Sequence, residues 1–164
     1  MNKKYLLEKK TVRNISNHIK KFNPNLTIIT LDETARTAEE AAKTLNVNVG
    51  AIVKSLVFKS SNKKLYYLCL TSGNKFLSLN KLALIVNDKV IKASADEVKE
   101  LTGYSIGGVP PVGHISPPTN IFIDINLKAF ENIYAAAGHP YVVFGISFND
   151  LVKITKGEVI DIVE

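Results

Sequence analysis

Residues 51–71, AIVKSLVFKSSNKKLYYLCLT, hold two apolar runs separated by a polar stretch of serine, asparagine and lysine. AIVKSLVF (51–58) and LYYLCLT (65–71) have the length of strands, and the SSNKK segment between them predicts a β-hairpin. Both runs are nearly apolar throughout, so both faces of each strand are expected to be covered. One residue breaks the pattern. At a two-residue period Lys54 shares a face with Ile52, Leu56 and Phe58. A lysine so placed is paired, has a lowered pKa, or points into a cleft that admits an anionic or carbonyl ligand. The plain alternative is a strand-edge lysine whose ammonium reaches water along the surface.

Outward from the hairpin, the same patterns predict further elements. Towards the N-terminus, Val12, Ile15, Ile19 and Phe22 fall at helical spacing, Asn23-Pro24 ends that helix, and LTIITL (26–31) reads as a short strand. Thr37 with Glu40 makes a capping box, and Ala38, Ala41, Ala42 and Leu45 form the apolar stripe of the helix that follows. Beyond the hairpin come a helix over Leu79–Val86 and a strand at KVIKA. A second capping box, Ser94 with Glu97, opens a helix with Ala95, Val98 and Leu101 facing inward and Gly103 at its C-terminal cap. IFIDI (121–125), IYAAAG (133–138) and YVVFGI (141–146) read as strands, Ser147 caps a last helix, SFNDLVKI, and EVIDIV closes the chain. Strands and helices mix without strict alternation, which predicts an α+β fold: one domain over 1–164, with a mixed sheet and helices packed against it.

Composition narrows the function classes. The chain has 164 residues, 46% hydrophobic and 22% charged, enough for one domain with a real core. Apolar runs are only strand-sized, and MNKKYLLEKKT lacks a signal peptide's apolar centre, so a cytosolic protein without membrane spans is expected. The single cysteine, Cys69, excludes an internal disulfide, and three histidines make a Cys/His zinc site a poor fit. Net charge is +6, from 21 Lys+Arg against 15 Asp+Glu, and Arg13 and Arg36 are the only arginines. That balance suits a polyanion such as RNA, and equally a lysine-rich proteome.

Two glycine-rich stretches are candidates for a site. TGYSIGGVPPVGH (102–114) sets four glycines, two prolines and a histidine in thirteen positions. Gly107 and Gly108 let main chain approach a ligand closely, and Pro110 and Pro111 keep the loop stiff. The N–H groups of Gly107, Gly108 and Val109 are then free to converge on a carbonyl oxygen or developing oxyanion. A structural Ω-type crossover fits the same residues. AAAGHP (135–140) ends an apolar strand in small residues, which leaves room for a pocket or simply packs tightly. His114 and His139 are candidate acid–base groups or local hydrogen-bonders. Cys69 lies mid-strand and reads as core, and no GxSxG, Walker, GxGxxG or HExxH motif is present.

In order, TAEEAAKTLNV, GAIVKSLVF, the glycine turn TSGNK, KLALIVNDKVIKAS, TGYSIGGVPPVGH and a strand ending AAAG occur along the chain. This order resembles the YbaK / prolyl-tRNA-synthetase-associated domain family of trans-editing aminoacyl-tRNA deacylases. The likeness runs from about Thr34 to the C-terminus, with residues 1–33 as an added helix and strand and 34–164 as the family core. IVKSL and TGYxxGGxxPxG are its most specific elements.

The resemblance implies a curved mixed sheet with an editing pocket between sheet and helices. It also implies hydrolysis of the ester that joins a wrong, small amino acid (alanine or cysteine) to the terminal adenosine of tRNA(Pro), with no metal or other cofactor. Lys54 matches the family's essential lysine, Gly107 through Pro111 its G-x-x-x-P loop, and Gly138 the glycine at the pocket's end strand. Gly113, His114 and His139 join them as substrate contacts. Lysines would carry the RNA backbone contacts. Aminoacyl-tRNA is the implied partner and prolyl-tRNA synthetase a second, with neither DNA nor membrane. A non-catalytic module that recruits tRNA or a synthetase is the competing reading. Because a missing methylene is worth only about 1–3 kcal/mol of discrimination, an editing pocket works by excluding the larger cognate residue. A pocket too small for proline is expected, lined by Ile52, Leu56, Ala135 and Ala137 or by the opposite faces of their strands.

Overall fold

The computed structural model describes residues 3–32 and 35–164. In chain order come α1 (Lys4–Glu8), α2 (Lys10–Phe22), β1 (Ile28–Thr30), α3 (Ala38–Leu45), β2 (Val53–Ser60), β3 (Tyr66–Ser72) and α4 (Leu79–Val86). There follow β4 (Val90–Lys92), α5 (Ala95–Thr102), β5 (Asn120–Asp124), β6 (Asn132–His139), β7 (Val142–Ser147), α6 (Phe148–Thr155) and β8 (Glu158–Ile160). The expected division between residues 33 and 34 lies outside the described residues.

The hairpin of 51–71 is the heart of the larger sheet. β2 runs antiparallel to β3, with Lys54 opposite Thr71. The sheet order is β4-β2-β3-β5-β8, and its β3–β5 and β5–β8 ladders are parallel, so the sheet is mixed. β1, β7 and β6 form a second, antiparallel sheet. Among the described residues, one isolated bridge, between Ile52 and Tyr134, couples the two at the N-terminal edge of β2. The mixed α+β architecture is as the sequence predicts, with its sheet in two hydrogen-bonded parts that meet beside Lys54.

Local chemistry explains the elements that frame this junction. Val12, Ile15 and Ile19 are buried along one side of α2, each fully buried isoleucine contributing about 1.5–3 kcal/mol over exposure. Phe22, though in phase with them, stays 39% exposed because it lies in the last turn. The Thr37 and Ser94 capping boxes both form, with hydroxyl and carboxylate bonding reciprocally to the main chain. In α5 the inward face is Val98 and Thr102 with Leu101 half-buried against the core, while Ala95 faces solvent. Ala95 is the first residue of that helix, before its buried stripe begins. β3 is buried along its whole length, under α4 on one side and against the core of β5, β6, β7 and α6 on the other. β2 differs, for Lys54, Ser55 and Leu56 are only partly covered. Among the described residues no helix is long and apolar enough to cross a membrane.

Candidate active site

The uncovered stretch of β2 is the floor of a hollow of about 270 Å³. Ile52, Lys54 and Leu56 supply that floor, Ala38 and Ala41 of α3 one wall, and Gly107 and Val109 of the glycine–proline loop another. Tyr134 and Ala136 complete it from β6, whereas Ala135 and Ala137 are fully buried on the opposite face of the strand. The strand's two-residue period therefore puts the even-numbered residues in the hollow. Its volume exceeds what one amino acid needs. The expectation of a pocket too small for proline therefore does not hold for the hollow as a whole, and any exclusion by size has to come from the shape of one end.

Lys54 is neither in the core nor free in water. Its ammonium donates to the main-chain oxygen of Lys75 and lies 5.0 Å from the ring centre of Phe76, in cation–π range. An ammonium has three donors, so two remain for a ligand. Burial pushes its pKa below the ordinary lysine value, against the opposing pull of the Glu39 and Asp124 carboxylates. The turn that receives it is fixed from below. Asp124, fully buried, accepts from the Ser72 N–H at 2.9 Å, the Asn126 N–H at 2.9 Å and the Asn126 amide at 2.7 Å. Ser72 in turn donates to the Gly50 carbonyl at 2.6 Å.

The loop brings only part of itself to the hollow. Among the described residues, the N–H groups of Gly107 and Val109 find no protein acceptor, and both residues line the cavity. Gly108 is turned away. Its N–H donates to the Ser105 carbonyl at 2.9 Å and its own carbonyl accepts from the Gly138 N–H at 3.0 Å. Pro110 and Pro111 are buried behind the wall. Gly138, at φ +93°, stands where a Cβ would meet the Thr11 oxygen at 2.7 Å, so it serves the contact between β6 and α2.

Neither expected histidine lines the hollow. His114 reaches the Pro110 carbonyl at 2.6 Å and the Tyr66 hydroxyl at 3.0 Å, and burial lowers its pKa while the Pro110 bond raises it. His139 accepts from the Tyr141 N–H at 3.1 Å, and burial followed by the charge of Lys9 lowers its pKa. Gly113 borders a different groove, formed with α2 and α6. Cys69 is buried and its thiol is pushed up to about 12, which leaves no thiolate at neutral pH. Among the described residues no cluster of three or more His, Cys, Asp or Glu is placed to hold a metal ion.

Several residues at the site escape sequence reasoning. Arg36, at the start of α3, lines the hollow, and its being one of two arginines was the available signal. Ser55 borders the hollow with a buried hydroxyl that has no partner among the described residues. Asp124 was signalled by a lone carboxylate in the apolar IFIDI run. Phe76, 70% exposed beside a cation, carries no pattern at all.

What fold and site define together is an α+β domain whose apolar cleft offers a desolvated cation and bare main-chain donors, with no acid–base dyad among the described residues that line it. The chain belongs to the aminoacyl-tRNA editing domain family, whose model matches residues 32–154. Over 148 residues it is 27% identical to the uncharacterized protein YwhH of Bacillus subtilis (strain 168), covering 90% of this chain and 88% of that one. It is 36% identical over 98 residues to the proline–tRNA ligase of Thermosipho africanus (strain TCF52B). That match takes in 59% of this chain but 17% of the ligase, so it is a likeness to one segment of a larger enzyme. A crystal structure described as a candidate trans-editing enzyme for prolyl tRNA synthetase superposes with a TM-score of 0.89 at 36% identity, over 95% of this chain and 98% of that one.

Proposed function

We propose that the chain, acting as one editing domain over 1–164, removes a small wrongly attached amino acid, alanine or cysteine, from tRNA(Pro) in the cytosol. The observation that carries this reading is the shared hollow, lined both by Lys54 on one strand and by Gly107 and Val109 on the loop, whose amides find no acceptor among the described residues. Ester hydrolysis needs what such a site offers. Water adds to the aminoacyl carbonyl carbon, and the carbonyl oxygen gathers charge that fixed main-chain donors stabilise without reorganising. The bond from that carbon to the ribose oxygen then breaks, and the water's proton ends on the ribose oxygen. Lys54 holds the ester or the phosphate of the terminal adenosine through its two spare donors, and Arg36 offers a second cation at the rim. The adjacent ribose hydroxyl orients the water, so no protein base is required, and neither is a metal.

Purified protein incubated with a panel of mischarged tRNAs, with and without chelator, tests this. Ester loss from Ala- or Cys-tRNA(Pro), unchanged by chelator, is expected. Lys54→Ala should stay folded and lose about 10²- to 10³-fold in turnover, the scale of one transition-state donor. A variant as fast as wild type ends the role assigned to Lys54. Binding of tRNA without cleavage of any ester makes the chain a recruiting module instead.

A further inference from the structure

A second hollow lies on the far side of the same loop. It is an open groove of about 660 Å³ between α2 and the C-terminal end of α6, with Gly113 among the residues that line it. Lys21, Lys153 and Lys156 border it together with His18, and among the described residues no carboxylate does. All three lysines are exposed, and none makes an ion pair among the described residues, whereas Lys3, Lys59, Lys63 and Lys81 each have an acidic partner elsewhere on the surface. Part of the protein's unpaired positive charge is therefore gathered around one groove.

Helix ends explain two of these lysines. Lys21 and Lys153 sit in last turns, where a cation offsets the carbonyl end of the helix. Lys156 is different. It caps α6 in the left-handed region at φ 55°, where the equivalent positions of α3, α4 and α5 use asparagine or glycine. A side chain that branches from such a backbone costs about 1–2 kcal/mol. The chain keeps a lysine there, at the rim of a groove that two other unpaired lysines border. Phe22 adds an aromatic ring, 39% exposed, to the same border.

Resting on the tRNA reading above, we propose that this groove grips the sugar–phosphate backbone of the RNA whose 3′ end enters the cavity. The hollow is too large for one isolated anion, and its cations come from two separate helices. That arrangement matches successive phosphates, with Phe22 available to a base or ribose face. Distance agrees, since Gly107 on the cavity and Gly113 on the groove are six positions apart, a span of at most about 20 Å along the chain. The role of Gly113 changes accordingly. At φ +77° its backbone takes a conformation that side chains rarely adopt, while a built Cβ would meet Tyr104 and His18 only at ordinary contact distance, so it is the turn of the chain at the groove's border that calls for glycine.

The test is a titration of a deacylated tRNA(Pro) transcript at a series of salt concentrations, read by fluorescence anisotropy. It compares wild type, the triple variant Lys21→Gln/Lys153→Gln/Lys156→Gln, and a charge-matched control, Lys64→Gln/Lys89→Gln/Lys92→Gln, on the distant β2–β3 and β4 edge. The groove variant is expected to bind at least about tenfold more weakly at about 0.1 M salt, with the slope of log K against log salt reduced by about 2–3. The control should keep the wild-type slope, and unchanged thermal melts establish that all three are folded. Equal losses in both triples, or none in the groove triple, overturn the proposal. If wild type cleaves no aminoacyl-tRNA yet binds RNA through these lysines, the groove stands and the hydrolase reading falls. If wild type cleaves and the groove triple binds like wild type, the reverse holds.

Discussion

Gly108 shows how a residue can be needed at a site without touching what the site holds. A Cβ built on it lies 2.9 Å from both the Cα and the N of His139, and 3.0 Å from its carbonyl carbon, all main-chain atoms that cannot swing aside. Gly108→Ala must therefore push the loop away from the end of β6 and break the bond between its carbonyl and the Gly138 N–H. The expected cost is about 1–3 kcal/mol of stability, the usual scale of overpacking, with a larger loss of turnover because Gly107 and Val109 move with it. Urea melts and single-turnover ester hydrolysis measure the two separately, and a variant with wild-type values for both would show that the loop is not held by this contact. The case also explains what sequence could read of the site. Lys54 stood out because a cation interrupts an apolar alternation, and the loop because no regular element tolerates its glycines and prolines. Which glycines face inward is a matter of tertiary register. Gly107 lines the cavity, Gly108 and Gly138 clamp loop to strand, and Gly113 serves another surface, although all four look alike in sequence.

At the scale of elements, two helices begin with the same device and have different neighbours. Thr37 and Ser94 each accept from the third helical N–H, at 3.1 and 3.2 Å, and each is answered by a glutamate. Replacing either by alanine is expected to cost about 1 kcal/mol. Only α3 walls the cavity, with Thr37 and Arg36 at its mouth. Thr37→Ala should therefore raise KM for aminoacyl-tRNA several-fold while Ser94→Ala leaves it unchanged, as measured by paired denaturation and steady-state assays. A KM that responds equally to both would mean the wall is not set by this cap. Caps of this kind are why the element list was legible: box, apolar stripe and terminal glycine or proline are all local signals. The parallel ladders from β3 to β5 and on to β8 were not, because their partners are far apart in sequence and no turn connects them. The split of the sheet beside Ile52 was hidden for the same reason, and with it the fact that the uncovered part of β2 is where the site opens.

For the molecule as a whole, acid should loosen the loop before it reaches the carboxylates. The chain has three histidines, and burial lowers the pKa of His114 and His139 below the ordinary 6.5. Both therefore resist protonation in the folded state more than in the unfolded chain. Above pH 6.5 they are neutral in either state and stability is at its full value. As pH falls below 6.5 the unfolded chain binds protons that the native one does not, and stability declines until the folded-state values are passed. His114 ties the loop through the Pro110 carbonyl to Tyr66 on β3, and His139 sits where Gly108 meets β6, so the protons that stabilise the unfolded chain are taken up at the two anchors of the same loop. A separate decline belongs to Glu97, which Lys59 and Ser94 hold at about 2 against an ordinary 4.5, so its contribution is lost as pH falls between those values. Urea unfolding at pH 7.5 and 5.5 isolates the histidine step, because the Glu97 step lies lower. Wild type should lose stability over that interval, and His114→Gln/His139→Gln should lose less, whatever its absolute stability. An equal loss in both proteins would mean that the two rings titrate alike in folded and unfolded chains, and that the loop's anchors are indifferent to their charge.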